Sequence, residues 1–352
     1  MKLFTCSACK QVLFFENVTC GNCGHALAYL PDRGIVSALE AGPKPGEHKA
    51  LAAGGALYRL CKNQLDHAAC NWAIPASAEG DYCFACSFNE VVPNLADEHA
   101  KEEWRKLERA KRRLFYTLMA LKLPLDRKEN GGKGLAFAFK QDLAGEKVFT
   151  GHSEGLITIN IAEADDPFRE KMRLQMGEAY RTVLGHFRHE IGHYYELRLV
   201  DGTPRVDGFR KLFGDETADY QAALNRHYKE GPPPDWHQRF VSPYASMHPY
   251  EDFAETWAHY LHMVETLDTA RTYGLALRPQ PVGGAPVADV SARRLDFDDF
   301  DDLLAGWVPL TLAMNSLNRA MGMHDTYPFV LTEAVRAKLR FVHELVENAS
   351  QG

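Results

Sequence analysis

Residues 187–195 read FRHEIGHYY, and within them His189, Glu190 and His193 form the pattern H-E-x-x-H. Two histidines four residues apart on a helix are separated by about 400° around its axis, so both project from nearly the same face. That spacing lets both imidazoles reach one Zn²⁺, with Glu190 directed toward the open side of the metal. A glutamate there takes a proton from a zinc-activated water and delivers it to a leaving amine. The alternative is a surface helix that carries the pattern by coincidence.

A third ligand is expected further along the chain, because a catalytic zinc keeps three protein ligands and one open position. The best candidate lies 58 residues after His193, in VSPYASMHPYEDFAETWAHYLHM, residues 241–263. Pro249 suits the first turn of a helix, and Glu251 and Glu255 are four residues apart and share a face. Either can ligate zinc while the other accepts a hydrogen bond from a ligand imidazole. Asp252 is the main alternative to Glu251.

All eight cysteines fall within the first 86 residues, which favours thiolate metal ligands in a reduced chain over secreted disulfides. A first set predicts a zinc ribbon over residues 1–35: Cys6, Cys9, Cys20 and Cys23. Such a unit is too small to fold on apolar burial alone, so the metal supplies much of its folding free energy.

A second, looser set predicts another zinc-binding lobe over residues 57–95: Cys61, Cys70, Cys83 and Cys86. Three aromatic neighbours are expected to cover this site: Trp72, Tyr82 and Phe84. His67 is an alternative ligand, and one knuckle with two buried free thiols is an alternative structure. Residues 40–56, rich in Gly, Ala and Pro, predict a flexible connector between the two sets.

Hydrophobic periodicity predicts a mainly helical domain over residues 96–350 that also contains a small sheet. A long helix is expected over residues 96–121, because five apolar residues recur there at helical intervals: Trp104, Leu107, Leu114, Phe115 and Leu118. A break at 130–132 follows, and then strands in GLAFAFKQ and GLITINIAEAD, both half-buried. Further helices are expected over residues 166–199, around 215–229, after Pro249, and twice near the C-terminus. The acidic run LDFDDFDDLL at residues 295–304 is typical of a solvated helix start rather than a calcium site.

Composition limits the partners that the chain can have. The formal net charge is −7 over 352 residues, and no apolar run approaches the length of a membrane span. Residues 1–95 hold seven Lys and Arg against eight Asp and Glu, which is a poor footprint for binding phosphates. The basic cluster in EEWRKLERAKRR is interleaved with glutamates and is typical of a solvated helix face. We expect a cytoplasmic protein with no membrane partner, and we do not expect nucleic-acid binding.

HEIGH followed by Y-A-x-x-x-x-x-E-D-F-A-E resembles the gluzincins of the thermolysin type, in which a glutamate on a later helix completes the zinc site. Together with the cysteine sets, nearly the full chain resembles a family of zinc-binding metallopeptidases with an N-terminal zinc ribbon. The resemblance implies an α+β, zincin-like domain preceded by four-cysteine zinc-ribbon lobes, with one catalytic and two structural zinc ions. It implies His189, His193 and Glu251 as ligands and Glu190 as general base. Glu255 then holds a ligand imidazole.

Two further roles follow from this resemblance. Tyr244 lies seven residues before Glu251, where some gluzincins place a tyrosine that stabilises the oxyanion, and a packing role is the alternative. Residues 155–163 are expected to form an edge strand to which an extended peptide substrate adds.

The leading hypothesis is therefore a zinc metallopeptidase that acts on a protein or peptide. The alternative is a zinc-ribbon interaction module or nucleic-acid-binding regulator with a silent or gated peptidase site. Substrate, cleavage specificity and oligomeric state have no signal in the sequence.

Overall fold

The computed structural model contains both helices and sheets. It describes residues 2–129, 133–143, 145–176, 182–280, 282–283 and 289–350. The internal contacts divide the chain into two units. Unit 1 comprises Met1–Met119 and Leu125–Asp166, and unit 2 comprises Ala120–Pro124 and Pro167–Gly352. The break predicted at residues 130–132 lies outside the described residues.

Unit 1 begins with two sheets that carry the cysteines. β1 (Phe4–Thr5) pairs antiparallel with β2 (Val12–Leu13). A five-stranded antiparallel meander follows in chain order: β3 (Ala26–Leu30), β4 (Ile35–Ala41), β5 (Glu47–Ala50), β6 (Ala56–Leu60) and β7 (Ala73–Pro75). This sheet begins beside the first cysteine set and ends within the second.

The flexible connector predicted at residues 40–56 is wrong, because these residues form part of the meander. β4 pairs with β5 from Leu39 opposite Ala50 to Ala41 opposite His48, and β5 pairs in turn with β6. Gly46 has φ +80° and Gly54 has φ +65°, which are conformations that favour glycine. The glycines and prolines therefore supply tight turns between strands rather than a loose tether.

The predicted long helix is confirmed as α2 (Glu98–Ala120), which follows α1 (Lys62–His67) and β8 (Asn89–Val91). Its apolar stripe is buried throughout at the predicted positions, namely Trp104, Leu107, Leu114, Phe115 and Leu118. Phe115 contacts Phe84 and Phe88 of the cysteine-rich part and Phe137 of a second sheet. α2 is therefore the helix around which unit 1 is packed.

The second sheet of unit 1 has the strand order β10–β11–β9–β8, with β9 (Ala136–Lys140), β10 (Gly151–Ser153) and β11 (Leu156–Asn160). β9 is parallel to both β8 and β11, and its first four residues are all buried. The half-buried pattern predicted for β9 is therefore wrong, because this strand is covered on both faces.

The edge-strand prediction for residues 155–163 is also wrong. β11 pairs with β9 along its length and with β10 on its other side, from Leu156 opposite Ser153 to Thr158 opposite Gly151. The short hairpin after Ser153 returns the chain along β11. From Leu156 to Thr158, β11 consequently has a paired strand on both sides and offers no free edge to a peptide.

In its described residues, unit 2 consists of helices, their connections and one hairpin, formed by β12 (Ala276–Leu277) and β13 (Val290–Ser291). Its helices are α3 (Asp166–Met176), α4 (Val183–Leu199), α5 (Val206–Phe213), α6 (Tyr220–Glu230), α7 (Trp236–Arg239), α8 (Pro249–Tyr273), α9 (Phe300–Ala320) and α10 (Glu333–Ser350). Asp299 caps α9 by accepting hydrogen bonds from the backbone of Asp301 and Asp302, so the acidic run is a helix start, as predicted.

α4 and α8 cross at close range because Gly192 has no side chain. A Cβ at residue 192 would lie 2.9 Å from Cα of Ala254 and 3.1 Å from Cβ of Trp257. The second variable position of the H-E-x-x-H pattern therefore sets the approach of the helix that carries Glu251.

Among the described residues, no helix combines the length and the apolar character that crossing a bilayer requires.

Candidate metal centres and catalytic site

Three groups of ligand-type side chains converge in the described chain, each with its donor atoms within 4.8 Å of one another. Two consist of four cysteines each, and the third consists of His189, His193 and Glu251. The eleven side chains are those that the sequence singled out as metal ligands.

The first cysteine group has the dimensions of a tetrahedral zinc site. Sγ of Cys6 lies 3.7 Å from Sγ of Cys23, and Sγ of Cys9 lies 3.6 Å from Sγ of Cys20. Four sulfurs bound at the usual Zn–S distance would be about 3.8 Å apart. Gly24, at φ +73°, turns the chain so that its N–H bonds to the carbonyl of Cys20, 2.9 Å away. The donor set and its spacing therefore fit zinc.

The second group is fully buried and equally compact. Sγ of Cys70 lies 3.6 Å from Sγ of Cys83 and 3.8 Å from Sγ of Cys86. The backbone N–H of Cys83 donates to Sγ of Cys61 over 3.3 Å. Because all four sulfurs converge, the alternative of one knuckle with two separate thiols is not what the structure contains. This set also fits zinc.

The surroundings predicted for the second group need correction. Tyr82 is 47% exposed and Phe84 is 39% exposed, so of the three predicted aromatic residues only Trp72 is buried. His67 packs its ring against Trp104, with 5.9 Å between centroids, and is not one of the converging donors.

Buried charges of α2 provide the cover instead. Oε2 of Glu108 lies 3.8 Å from Sγ of Cys86. Oε1 of Glu108 accepts a hydrogen bond from Nζ of Lys111 over 2.9 Å. Arg112 donates through Nε to Oδ1 of Asn71 over 2.8 Å and also to the carbonyl of Ala69. The solvated face predicted for EEWRKLERAKRR is therefore wrong at these positions, because the charges satisfy one another and the cysteine lobe.

The third group joins α4 and α8 within unit 2. Nε2 of His189 lies 2.9 Å from Oε2 of Glu251, and Nε2 of His193 lies 3.6 Å from the same oxygen. All three side chains are buried. Burial raises the pKa of Glu251, but the two imidazoles outweigh it and hold that pKa well below its usual value.

Glu255 fixes the orientation of His189. Its Oε1 lies 2.7 Å from Nδ1 of His189, and its Oε2 accepts a hydrogen bond from the hydroxyl of Ser242 over 2.6 Å. Burial lowers the pKa of His189, but Glu251 and Glu255 outweigh it and raise that pKa well above its usual value, so the metal-free imidazolium donates to both carboxylates. With Nδ1–H directed to Glu255, zinc would take the place of the proton on Nε2, opposite Oε2 of Glu251 at 2.9 Å. The donor set of two imidazoles and one carboxylate fits zinc.

Asp252, the alternative to Glu251, points away from this group. Its Oδ2 lies 2.5 Å from Nζ of Lys338 on α10, and both side chains are buried. Consecutive residues on a helix point about 100° apart, so only one of the two carboxylates can face α4.

Glu190 lies on α4 between the two histidines and is 4% exposed. Its Oε1 is 3.2 Å from Nε2 of His186, one turn earlier on the same helix. Burial raises the pKa of Glu190, but His186 and the other nearby imidazoles have the larger effect and lower that pKa below its usual value. The carboxylate is therefore held ionised. His186 thus contacts the candidate base.

Two tyrosines border the site, and the sequence singled out one of them. The ring of Tyr244 lies 6.1 Å from that of His189. Burial raises the pKa of Tyr244, and the nearby Glu251 and Tyr220 raise it further, so the phenol stays protonated as a donor. Tyr220 at the start of α6 donates to Oε1 of Glu251 over 2.8 Å. Sequence reasoning missed Tyr220, because a lone tyrosine 31 residues from its acceptor carries no spacing signal.

Three further histidines have structural partners. His259 and His262 are part of the helix packing: Nδ1 of His259 lies 2.7 Å from the hydroxyl of Tyr327, and Nδ1 of His262 lies 2.5 Å from a guanidinium nitrogen of Arg188. Burial lowers the pKa of His259 to about 4, so it stays neutral. His248 caps α8 by accepting a hydrogen bond from the backbone of Tyr250.

A mixed helix-and-sheet chain with two four-cysteine clusters and a His/His/Glu group has the features of a zinc protein with a metallopeptidase-like centre. The chain belongs to the family described as "Putative zinc-binding metallo-peptidase", whose sequence model matches residues 100–345. A zinc-ribbon domain matches residues 3–97.

The relatives found span nearly the whole chain. An uncharacterized protein from Mycobacterium bovis and one from each of two strains of Mycobacterium tuberculosis are 42% identical over 352 residues. Each alignment covers 99% of this chain and 96% of the relative. No solved structure matches the chain.

Proposed function

We propose that this protein is a zinc-dependent peptidase of the gluzincin type, with a zincin-like core built on α4 and α8. The observation that carries the proposal is the convergence of His189, His193 and Glu251, with Glu190 between the histidines on the same helix. In this proposal the three converging residues hold the catalytic zinc, and the two cysteine groups hold structural zinc. The substrate is a protein or peptide.

When bound, zinc would act as a Lewis acid that polarises the scissile carbonyl and makes a water nucleophilic at neutral pH. Glu190, held ionised, accepts the proton of the attacking water and passes it to the leaving amine. Tyr244 donates its O–H to the carbonyl oxygen, a contact that strengthens as negative charge develops there. Glu255 accepts a hydrogen bond from Nδ1–H of His189 and so keeps the lone pair of Nε2 directed at the metal.

The alternative of a nucleic-acid regulator finds no support in the charges of unit 1. Two of the basic residues on α2, Lys111 and Arg112, are buried against the cysteine lobe and are not available to phosphates. Thiolate zinc sites suit a reducing compartment, so the cytoplasm is the proposed location.

The deciding experiment compares zinc-loaded wild type with Glu190→Gln on a mixed peptide library, with cleavage products detected by mass spectrometry. Removal of the general base should lower turnover by about 10²- to 10⁴-fold while the zinc content stays the same. Glu230→Gln is the matched control, because Glu230 is an exposed residue at the end of α6, and it should cleave as wild type does. Equal product yields from wild type and Glu190→Gln would refute the proposal.

A further inference from the structure

Tyr220 occupies a defined position beside the metal-facing group. It is the first residue of α6, and Asp219 caps that helix by accepting a hydrogen bond from the N–H of Ala222 over 2.9 Å. From there its hydroxyl reaches Oε1 of Glu251 on α8, 2.8 Å away. Neither the sequence pattern nor the family matches assign Tyr220 a role.

The two oxygens of Glu251 have different partners. Oε2 is the atom that lies near the imidazoles, at 2.9 Å from His189 and 3.6 Å from His193. Oε1 accepts a hydrogen bond from the hydroxyl of Tyr220. A carboxylate whose second oxygen is held by a hydroxyl offers a metal one oxygen rather than two, which leaves more of the coordination sphere for water and substrate.

A second contact holds the segment before Tyr220 against the start of α8. His248 accepts at Nδ1 from the backbone N–H of Tyr250 over 3.1 Å, so its proton is on Nε2. Nε2 then donates to the carbonyl of Ala218, 3.0 Å away. The ring of Tyr220 also packs edge-on against His248, with 5.3 Å between centroids. The start of α6 is therefore fixed to the helix turn that carries Glu251.

We propose that Tyr220 is a positioning residue of the catalytic metal centre, which holds Oε1 of Glu251 so that only Oε2 faces the metal. The inference rests on the proposed metal site and deepens it. It does not depend on peptide cleavage, because its consequence is a change in zinc affinity.

The test measures zinc affinity of the full chain by competition with a chelator, after both cysteine groups have been loaded with zinc. Tyr220→Phe removes the donor and keeps the ring, and it should weaken zinc binding at the third site by about tenfold or more. The control is Tyr273→Phe, because Tyr273 is a half-exposed tyrosine at the end of α8, and it should bind zinc as wild type does. An affinity for Tyr220→Phe within twofold of wild type, or a tighter one, would overturn the inference.

A double-mutant cycle separates positioning from general stability. If Tyr220 acts through Glu251, Tyr220→Phe should change zinc affinity less than twofold in the Glu251→Ala background. A tenfold loss that persists in that background would show that Tyr220 supports the fold rather than the ligand, and would also overturn the inference. A wild type that binds zinc at this site and cleaves no peptide would contradict the proposed function alone.

Discussion

Two neighbouring carboxylates, Glu251 and Asp252, show how single positions acquire their roles. Helical spacing identifies Glu251 and Glu255 as a pair on one face, but leaves Asp252 as an alternative ligand. Which carboxylate faces the metal site depends on what each side chain contacts. Glu251 contacts the imidazoles of α4, whereas Asp252 contacts Lys338 on α10. A buried carboxylate is stable only with such a partner.

Gly192 has an equally specific role, and its replacement is predicted to loosen the site. Gly192→Ala would place a Cβ 2.9 Å from the backbone of Ala254, so α4 and α8 must move apart. We expect a loss of about 1 to 3 kcal/mol of stability, as for other overpacked cores, despite the better helix propensity of alanine. Thermal or denaturant unfolding measures it.

The control is Gly151→Ala, because a Cβ there meets nothing within 4 Å and the strand geometry accepts alanine. It should unfold as wild type does. A Gly192→Ala protein that is as stable as wild type would contradict the close crossing of α4 and α8.

Among the helices and strands, α2 differs most from the prediction made from its sequence. Its apolar stripe was predicted correctly, but its charged residues were expected to face water. Glu108, Lys111 and Arg112 are instead buried beside the second cysteine group. Four thiolates and one Zn²⁺ carry a formal charge of about −2, which basic residues nearby can offset. Burial lowers the pKa of Arg112, but Cys70 and Glu108 outweigh it and raise that pKa.

Arg112→Met is therefore predicted to weaken zinc retention at the second cysteine group. The change removes a positive charge and leaves the carbonyl of Ala69 and the amide of Asn71 without their donor. The rate of zinc loss to excess chelator should rise by about tenfold or more at this group. Arg109→Met, on the exposed face of α2, should not change that rate. Equal rates for both variants would contradict the assignment.

For the whole molecule, the family matches and the internal contacts divide the chain at different points. The family matches meet between residues 97 and 100, which places α2 with the peptidase. The contacts place α2 and the second sheet with the cysteine groups, because Phe115 and Tyr116 pack among aromatic residues of the N-terminal lobes. The division into residues 1–35, 57–95 and 96–350 stays a prediction.

The metal content of the intact chain tests the three centres together. Elemental analysis of wild type should give three zinc ions per chain, and His193→Ala should give two, because only the mixed site loses a ligand. Cys83→Ser should also lose zinc, but from the second cysteine group, and the stability of unit 1 should fall with it. An unchanged count in His193→Ala would contradict His193 as a ligand.

Local spacing was sufficient for those features that depend on neighbours along the chain. The pair His189 and His193 shares a helix face because of the helical period, and CxxC spacing brings two sulfurs to one ion without help from distant residues. The apolar stripe of α2 follows from the same period. Each of these depends on the regular period of one local segment.

Tertiary structure decided everything that depends on which distant side chains meet. The contacts of Tyr220 with Glu251 and of Lys338 with Asp252 span 31 and 86 residues, and the buried charges of α2 find partners in the cysteine lobe. The same holds for β11, which becomes an inner strand only because β10 folds back along it. Such pairings have no fixed sequence period, because the packing of whole elements creates them.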